Sequence, residues 1–355
     1  MPSNKNKRLT FANLVNRAIT RAMKIDKSLI CYGLGVSDPK NVFNTTKNLK
    51  ETFGSKRVFD VPASENTLTG VSIGLAIGGI RSVVTHQRLD FFLLAMDQLV
   101  NSAAKWHYMF GSKCSIPITI RLIVGRGWGQ GPTHSQNLHS WFAHIPGLKV
   151  IMPTFPIDAE NLLIESIFDK NPVLFIEQRW LHNFDGIPTE KKKIKIGQSR
   201  ICKHGKDVTI VAISYLTIDA LEASKVLKEK YNIDCEVIDI ISVKPLDYKT
   251  IFNSVKKTNY ILVLDLGSKI CSFANEIIAN VVDKQFKILK NSPLSITMPD
   301  VPVPTSFSLT KNFYPTVEKI VNAVLRIMNR NEKYKNFKKN QFNHDVPGAW
   351  FKGPF

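Results

Sequence analysis

At 355 residues, 44% hydrophobic and 22% charged, the chain is long enough for two domains with separate cores and has an ordinary globular composition. No window carries the apolar run of a membrane-spanning helix and the N-terminus lacks a signal-type apolar core, so a membrane protein is not expected. The net charge of +19 invites a nucleic-acid reading, yet the lysines are dispersed and cluster only at 191–193 and 333–339, without interleaved aromatics, so solvated faces or an acidic protein partner are expected instead.

The five cysteines (Cys31, Cys114, Cys202, Cys235, Cys271) are scattered, odd in number and never spaced C-x-x-C. That pattern points to reduced thiols in a cytoplasmic protein, with neither a zinc site nor a disulfide framework. Residues 1–8 are polar and basic and are expected to be disordered. Residues 9–24 place Leu9, Ala12, Val15, Ile19 and Ala22 at helical spacing, with basic residues on the other face. A short buried strand at 29–32 ends at Gly33 and Gly35, a loop begins at Asp38-Pro39, and 48–53 reads as a short helix. The apolar run Val58, Phe59, Val61 is stopped by Pro62, and a lone carboxylate follows in the loop at Glu65. The small-residue segment 70–79 then reads as a helix whose glycines let another element approach closely.

After Val83-Val84 and a polar turn, 91–105 is apolar but carries Asp97, Gln98, Asn101 and Lys105, which predicts a buried helix. A strand at 116–121 leads into Gly125-Arg-Gly-Trp-Gly-Gln-Gly131, a pliable loop able to approach a ligand. It keeps neither the conventional G-x-G-x-x-G nor an acidic residue at the usual distance, so a dinucleotide fingerprint is rejected. His134 follows, then a helix at 137–144, a strand at 149–152, a helix at 156–168 with Asp158 near its positive end, and a strand at 172–177. Strands alternating with helices predict a parallel sheet flanked by helices. The stretch 183–206, rich in Gly, Pro and Lys, joins this unit to a second one. The second unit has strands at 207–213, 235–240 and 260–264, and helices at 218–230, 248–255, 272–282 and 315–329. The tail is polar and then ends in Pro-Gly-Ala-Trp-Phe-Lys-Gly-Pro-Phe, an aromatic end expected to dock on a protein surface.

Several of these segments carry a resemblance. Ser64-Glu65, Gly70, Met96-Asp-Gln-Leu-Val-Asn-Ser-Ala-Ala-Lys105 and Thr133-His134-Ser-Gln136, in this order, resemble the β subunit of the thiamine-diphosphate decarboxylase of 2-oxo acid dehydrogenase complexes, of which pyruvate dehydrogenase is the best-known branch. Ile238 to Asp247, Ser254 to Thr258 and Asp300-Val-Pro-Val-Pro304 resemble the same family's C-terminal domain. The resemblance runs from about Thr10 to Arg330. It implies an α/β fold: a pyrimidine-binding, transketolase-like parallel sheet over 9–190, a linker at 191–206, and a smaller transketolase C-terminal-type domain over 207–330, followed by the tail at 331–355.

Thiamine diphosphate needs one carboxylate in a dry pocket, hydrogen-bonded to its pyrimidine ring nitrogen, because the rest of the chemistry belongs to the cofactor. Glu65 matches that position within the resemblance; taken alone, an isolated Ser-Glu reads more readily as a helix-capping or surface glutamate. The resemblance further implies that His134 lines the site as a proton-transfer residue, that Phe91 packs against the pyrimidine, and that Ala63 supplies a neighbouring backbone contact. His86, His107, His139 and His144 form no metal-ligand set and are read as structural. Some relatives hold a monovalent cation such as K⁺; here its ligands would be Ile118, Ser166, Ile167, Asp169 and Asn171, although Asp169 to Pro172 also reads as a plain turn.

Enzymes of this class hold the diphosphate through Mg²⁺ with a Gly-Asp-Gly segment, and none occurs in the sequence. The resemblance therefore implies an α-type partner that supplies the Mg²⁺ site, in a heterotetramer, with a lipoyl acyltransferase as a further partner. The chain departs from the pyruvate branch where it has Thr85-His-Gln-Arg-Leu89: Arg88 brings a fixed positive charge to the pocket wall, and the position that is acidic in many relatives is Leu34 or Gly35. Trp128 and Pro132 also alter the glycine loop. The leading expectation is oxidative decarboxylation of a 2-oxo acid with acyl transfer to lipoamide. Two others stand beside it: a non-oxidative decarboxylase or transketolase-like transferase in a sugar or polysaccharide pathway, and a catalytically silent assembly subunit.

Overall fold

The computed structural model describes residues 9–127, 129–190, 192–335, 346, 349–351 and 353. The expectations for residues 1–8, Trp128, Lys191 and most of the tail lie outside the described residues. The strands in chain order are β1 (Ile30–Gly33), β2 (Val58–Asp60), β3 (Ser82–His86), β4 (Ile118–Val124), β5 (Lys149–Ile151), β6 (Val173–Gln178), β7 (Arg200–Lys203), β8 (Val208–Ala212), β9 (Cys235–Asp239), β10 (Ser242–Lys244), β11 (Ile261–Ser268) and β12 (Leu294–Met298). They form two sheets, one of seven strands in the order β10-β5-β6-β4-β3-β1-β2 and one of five in the order β12-β11-β8-β9-β7. All pairings are parallel except β10 with β5 and β7 with β9.

The central strands β3, β4 and β6 are buried along their whole length, as strands of a parallel sheet covered on both faces must be. Phe11–Ile25 forms a helix capped by Thr10, whose Oγ1 accepts from Asn13 N at 3.3 Å while Asn13 Oδ1 accepts from Thr10 N at 3.3 Å. This reciprocal cap satisfies two of the donors a helix start leaves open. The same helix buries Val15, Ala18, Ile19 and Ala22 and is joined to the Pro156–Phe168 helix by Arg17, whose Nε and Nη2 donate to Glu160 at 2.8 and 2.5 Å.

Three features differ from the sequence reading. The joining stretch contains β7, an edge strand of the second sheet, and its Arg200 is buried in a two-pronged bond to Asp158 at 2.8 and 2.6 Å. The run 91–105 is not one buried helix: it breaks into Leu89–Phe92, a 3₁₀ turn at Leu93–Ala95, a π-helical segment at Gln98–Ala103 and Ala104–Met109, and Leu94 faces solvent. At Gly74, expected to admit a packed element, an added Cβ would meet no other element within 4 Å among the described residues.

β10 follows β9 of the second sheet yet pairs with β5 of the first. The two units are also tied by His139 Nε2, 2.8 Å from Asp265 Oδ1 on β11, both side chains being buried. Inside the first sheet lies a second buried cluster. Arg121 on β4 donates from Nε and Nη2 to Glu177 on β6 at 2.6 and 2.9 Å, and from Nη2 to Thr45 Oγ1 at 2.9 Å. His182 Nε2 lies 3.0 Å from Glu177 Oε2. Burial alone would raise the Glu177 carboxyl; the Arg121 charge and the bonds from His182 and Arg121 outweigh it and pull it down to about 2.

Candidate active site

A cleft of about 940 Å³ opens at the carboxyl ends of the first sheet, where ligands bind in open parallel sheets. The ends of four strands and the turns after them build it: Leu34 after β1, Ala63 and Glu65 after β2, His86 as the last residue of β3 with Gln87 and Arg88 following, and the glycine loop with His134 after β4. Thr305, just after Asp300 to Pro304, adds a wall from the second unit.

Glu65 is the first residue of the Glu65–Ile77 helix, not a loop residue, because the helix begins immediately after Ser64. A carboxylate suits that end of a helix dipole. It is 7% exposed, lines the cleft, and its carboxylate makes no hydrogen bond or ion pair among the described residues. Its oxygens open onto the cleft, where a bound molecule can donate to them. Phe91 and His134 meet edge to face, with ring centroids 5.3 Å apart, on the cleft wall. The His134 Nδ1 lies 3.1 Å from Thr133 Oγ1.

Two links hold the His134 loop. Gly125 N donates to His134 O at 3.0 Å, and a Cβ on Gly125 would sit 2.5 Å from that oxygen, so the closure requires glycine. Gln136 donates from its backbone N and from Nε2 to Asp90 Oδ1, at 3.1 and 3.0 Å. Burial pushes the Asp90 carboxyl up, against the pull of these bonds.

The expected site residues Ala63, Glu65, Phe91 and His134 thus share one cleft, with Arg88 on its wall. The five residues proposed for a cation are elsewhere, at the far end of the sheet. There the carbonyls of Ile167 and Asp169 accept from Arg81 Nη1 at 3.2 and 2.8 Å. The Asp169 carboxylate is paired with Lys149 and accepts from Asn171 N at 2.9 Å. A monovalent cation at this corner would compete with two side-chain cations for the same oxygens, and no chemical step is assigned to one here.

Sequence reasoning passed over several cleft residues. His86, read as structural, is 1% exposed and lines the cleft; neither ring nitrogen has a partner among the described residues, and burial pushes its pKa down to about 4, so the ring is neutral. Asp38, Lys40, Phe43 and Gln130 were likewise missed. The available signal was position: each ends or follows a strand of the first sheet.

Residues 7–183 match the family described as "Transketolase, pyrimidine binding domain", and residues 197–320 match "Transketolase, C-terminal domain". The β subunit of the acetoin:2,6-dichlorophenolindophenol oxidoreductase of Bacillus subtilis is 36% identical over 333 residues, which is 90% of this chain and 97% of that protein. The β subunit of the pyruvate dehydrogenase E1 component of Rickettsia felis is also 36% identical, over 90% of this chain and 98% of that protein. The chain belongs to the pyruvate dehydrogenase E1 β-subunit family. A solved structure described as a split-gene transketolase, in an inactive β4 tetramer, aligns with a TM-score of 0.73 over 92% of this chain and 100% of that one; at 20% identity it supports the shared fold. In this family's terms the first sheet is the pyrimidine-binding unit and the second the C-terminal unit. No helix of the described residues is long and apolar enough to cross a membrane.

Proposed function

We infer that the chain is the β half of a thiamine-diphosphate-dependent 2-oxo acid oxidoreductase, completed by an α-type partner in a heterotetramer. The observation that carries this reading is the Glu65 carboxylate, which opens onto the cleft with no donor among the described residues, in the same cleft as the Phe91–His134 pair. These residues fit the aminopyrimidine end of the cofactor. Glu65 would accept a hydrogen bond from a protonated ring nitrogen and hold the positive charge there. Phe91 would pack on the ring face, and the Ala63 backbone would contact its edge. When bound, thiamine diphosphate supplies the carbon nucleophile and the electron sink for decarboxylation.

The chain's own work is then to orient the ring, keep water away and move protons. His134, facing Phe91 across the cleft, is placed to transfer a proton as the acyl group leaves for the lipoyl group of an acyltransferase. The Mg²⁺ that clamps the diphosphate is assigned to the partner, since the sequence carries no Gly-Asp-Gly segment. The proposed division into 9–190 and 207–330 leaves β7 (Arg200–Lys203), an edge strand of the second sheet, in the joining stretch, and the free cysteines support a reducing compartment such as the cytoplasm.

Calorimetry tests the partnership. The purified chain alone should show no Mg²⁺-dependent binding of thiamine diphosphate, and the complex with its α-type partner should bind it and decarboxylate a 2-oxo acid with an artificial oxidant. Tight binding to the chain alone, or a cofactor-loaded complex inactive on every 2-oxo acid, overturns the reading.

A further inference from the structure

Arg88 stands on the cleft wall without an ion pair among the described residues, with the Asp90 charge acting on it from further away. Arg88 is 8% exposed. Its Nη1 donates to Gln87 O at 2.7 Å and its Nη2 to Gln130 Oε1 at 3.1 Å, both uncharged acceptors. Its Nε is buried with no acceptor among the described residues, and no carboxylate among them lies within ion-pair distance. A second guanidinium, Arg179 after β6, is also buried. Burial and then the nearby charge of Arg88 push the Arg179 pKa down to about 10.

The two cations share one aromatic platform. The Phe43 ring lies 5.4 Å from the Arg88 guanidinium carbon and 4.5 Å from that of Arg179. Phe43 is held there by a left-handed turn in which Asn41, Val42, Phe43 and Asn44 have φ of 46°, 46°, 57° and 68°. Left-handed backbone is costly for a β-branched or aromatic residue and persists where the surroundings impose it, often beside ligands. Of the acids nearby, Asp90 uses one oxygen on Gln136, Asp38 accepts from Asn41 N, and Glu65 faces the same cleft. Lys40 adds a further cation to the lining.

Resting on the function inferred above, we propose that this corner is an anion subsite, so that the preferred 2-oxo acid carries a second anionic group, carboxylate or phosphate, beyond the reacting carbonyl. The terminal nitrogens of Arg88 supply the directional donors, since each keeps a second hydrogen beyond its bond to Gln87 O or Gln130 Oε1. An arginine fork matches either oxyanion in a way that a lysine ammonium does not.

The test uses the complex with the α-type partner, thiamine diphosphate and Mg²⁺. Oxidant-coupled kcat/KM is measured for pyruvate, 2-oxobutyrate, 2-oxoglutarate and 3-phosphonopyruvate, the last two separating a carboxylate from a phosphonate that stands in for phosphate. At least one dianionic substrate should exceed pyruvate by about 10-fold or more, and Arg88→Gln should cut the dianion-to-monoanion ratio by about 30-fold, with Arg88→Lys recovering little of it. Separately, calorimetric titration with unreactive glutarate and with inorganic phosphate should show at least one binding, weakened about 10-fold or more by Arg88→Gln with unchanged circular dichroism. A preference for pyruvate that Arg88→Gln leaves unaltered, or equal binding of both probes to wild type and variant, overturns the subsite. If no 2-oxo acid is turned over while Arg88-dependent binding persists, the subsite stands and the assigned function falls.

Discussion

Arg121→Met tests the buried cluster that braces the cleft from beneath. Arg121 and Glu177 are fully buried, and Thr45, which shares the Arg121 guanidinium, leads out of the turn that presents Phe43. The Glu177 carboxyl stands at about 2 in the fold against 4.5 without it, which by linkage corresponds to ~3 kcal/mol of stability at neutral pH. Removing one partner of a buried pair independently predicts a loss of about 3–5 kcal/mol, because the other charge is left behind. The folded pKa of Glu177 is depressed, so its contribution is complete above pH 4.5 and is lost as the pH falls towards 2. His182 is held neutral by burial, which lowers its pKa from 6.5 to about 4, and the unfolded chain takes up that proton first; its contribution fades from pH 6.5 downward. Peptide-resolved hydrogen exchange over β4 and β6 reads the local opening free energy without assuming that a two-domain chain unfolds in one step. Arg121→Met should increase exchange there by about 100-fold or more at pH 7. The double variant Arg121→Met/Glu177→Met should lose less than Arg121→Met alone, since no buried carboxylate remains. A single-variant cost below about 1 kcal/mol, or two costs that simply add, would refute the electrostatic account.

Glu65→Gln keeps the shape of the side chain but cannot balance a charged ring nitrogen; kcat of the assembled complex should fall about 10²–10³-fold with the unfolding midpoint unchanged, and an unaffected kcat would leave Glu65 as a helix-end residue. Asp239 is fully buried, and burial, reinforced by the charge of Asp158, raises its pKa to about 8. The folded chain therefore holds a proton that the unfolded chain releases near pH 4, so stability falls between about pH 4 and 8. Asp239→Asn should flatten that slope and raise stability at pH 8 by about 1–3 kcal/mol in urea melts; an unchanged pH profile counts against a protonated Asp239.

The parts of the fold legible in the sequence were those with a long one-valued signal. β4 and β6 are dominated by Val, Ile, Leu and Phe because both faces of a central parallel strand are covered, Arg121 and Glu177 being the buried exceptions, and the Phe11–Ile25 and Val317–Ile327 helices show clear apolar stripes. The strands that escaped, β7, β10 and β12, are short and lie at sheet edges, where one side needs no apolar pattern; β7 even buries an arginine. The run 91–105 misled because most of it is apolar, whereas Phe91 and Leu94 are exposed and the helix is broken by a 3₁₀ turn and a π-helical segment. In the site, Glu65, Ala63, Phe91 and His134 were legible through the family resemblance, and Arg88 through its departure from it. His86 was not: a histidine's surroundings depend on which strand end it occupies, a fact of topology absent from the local sequence.

The strand exchange by β10 bears on how the chain is made. β5 is translated well before Ser242 emerges, so the growing first sheet waits with an unpaired edge while the whole stretch from Arg179 to Ile241 is synthesised, on the order of ten seconds at ordinary elongation rates. An open edge of this kind is a template for pairing with another chain. Closing it needs β9, and with it much of the second unit, to be already available. The two units are therefore separable on paper but not in synthesis: the first can reach its final edge only once the chain through Lys244 has been made.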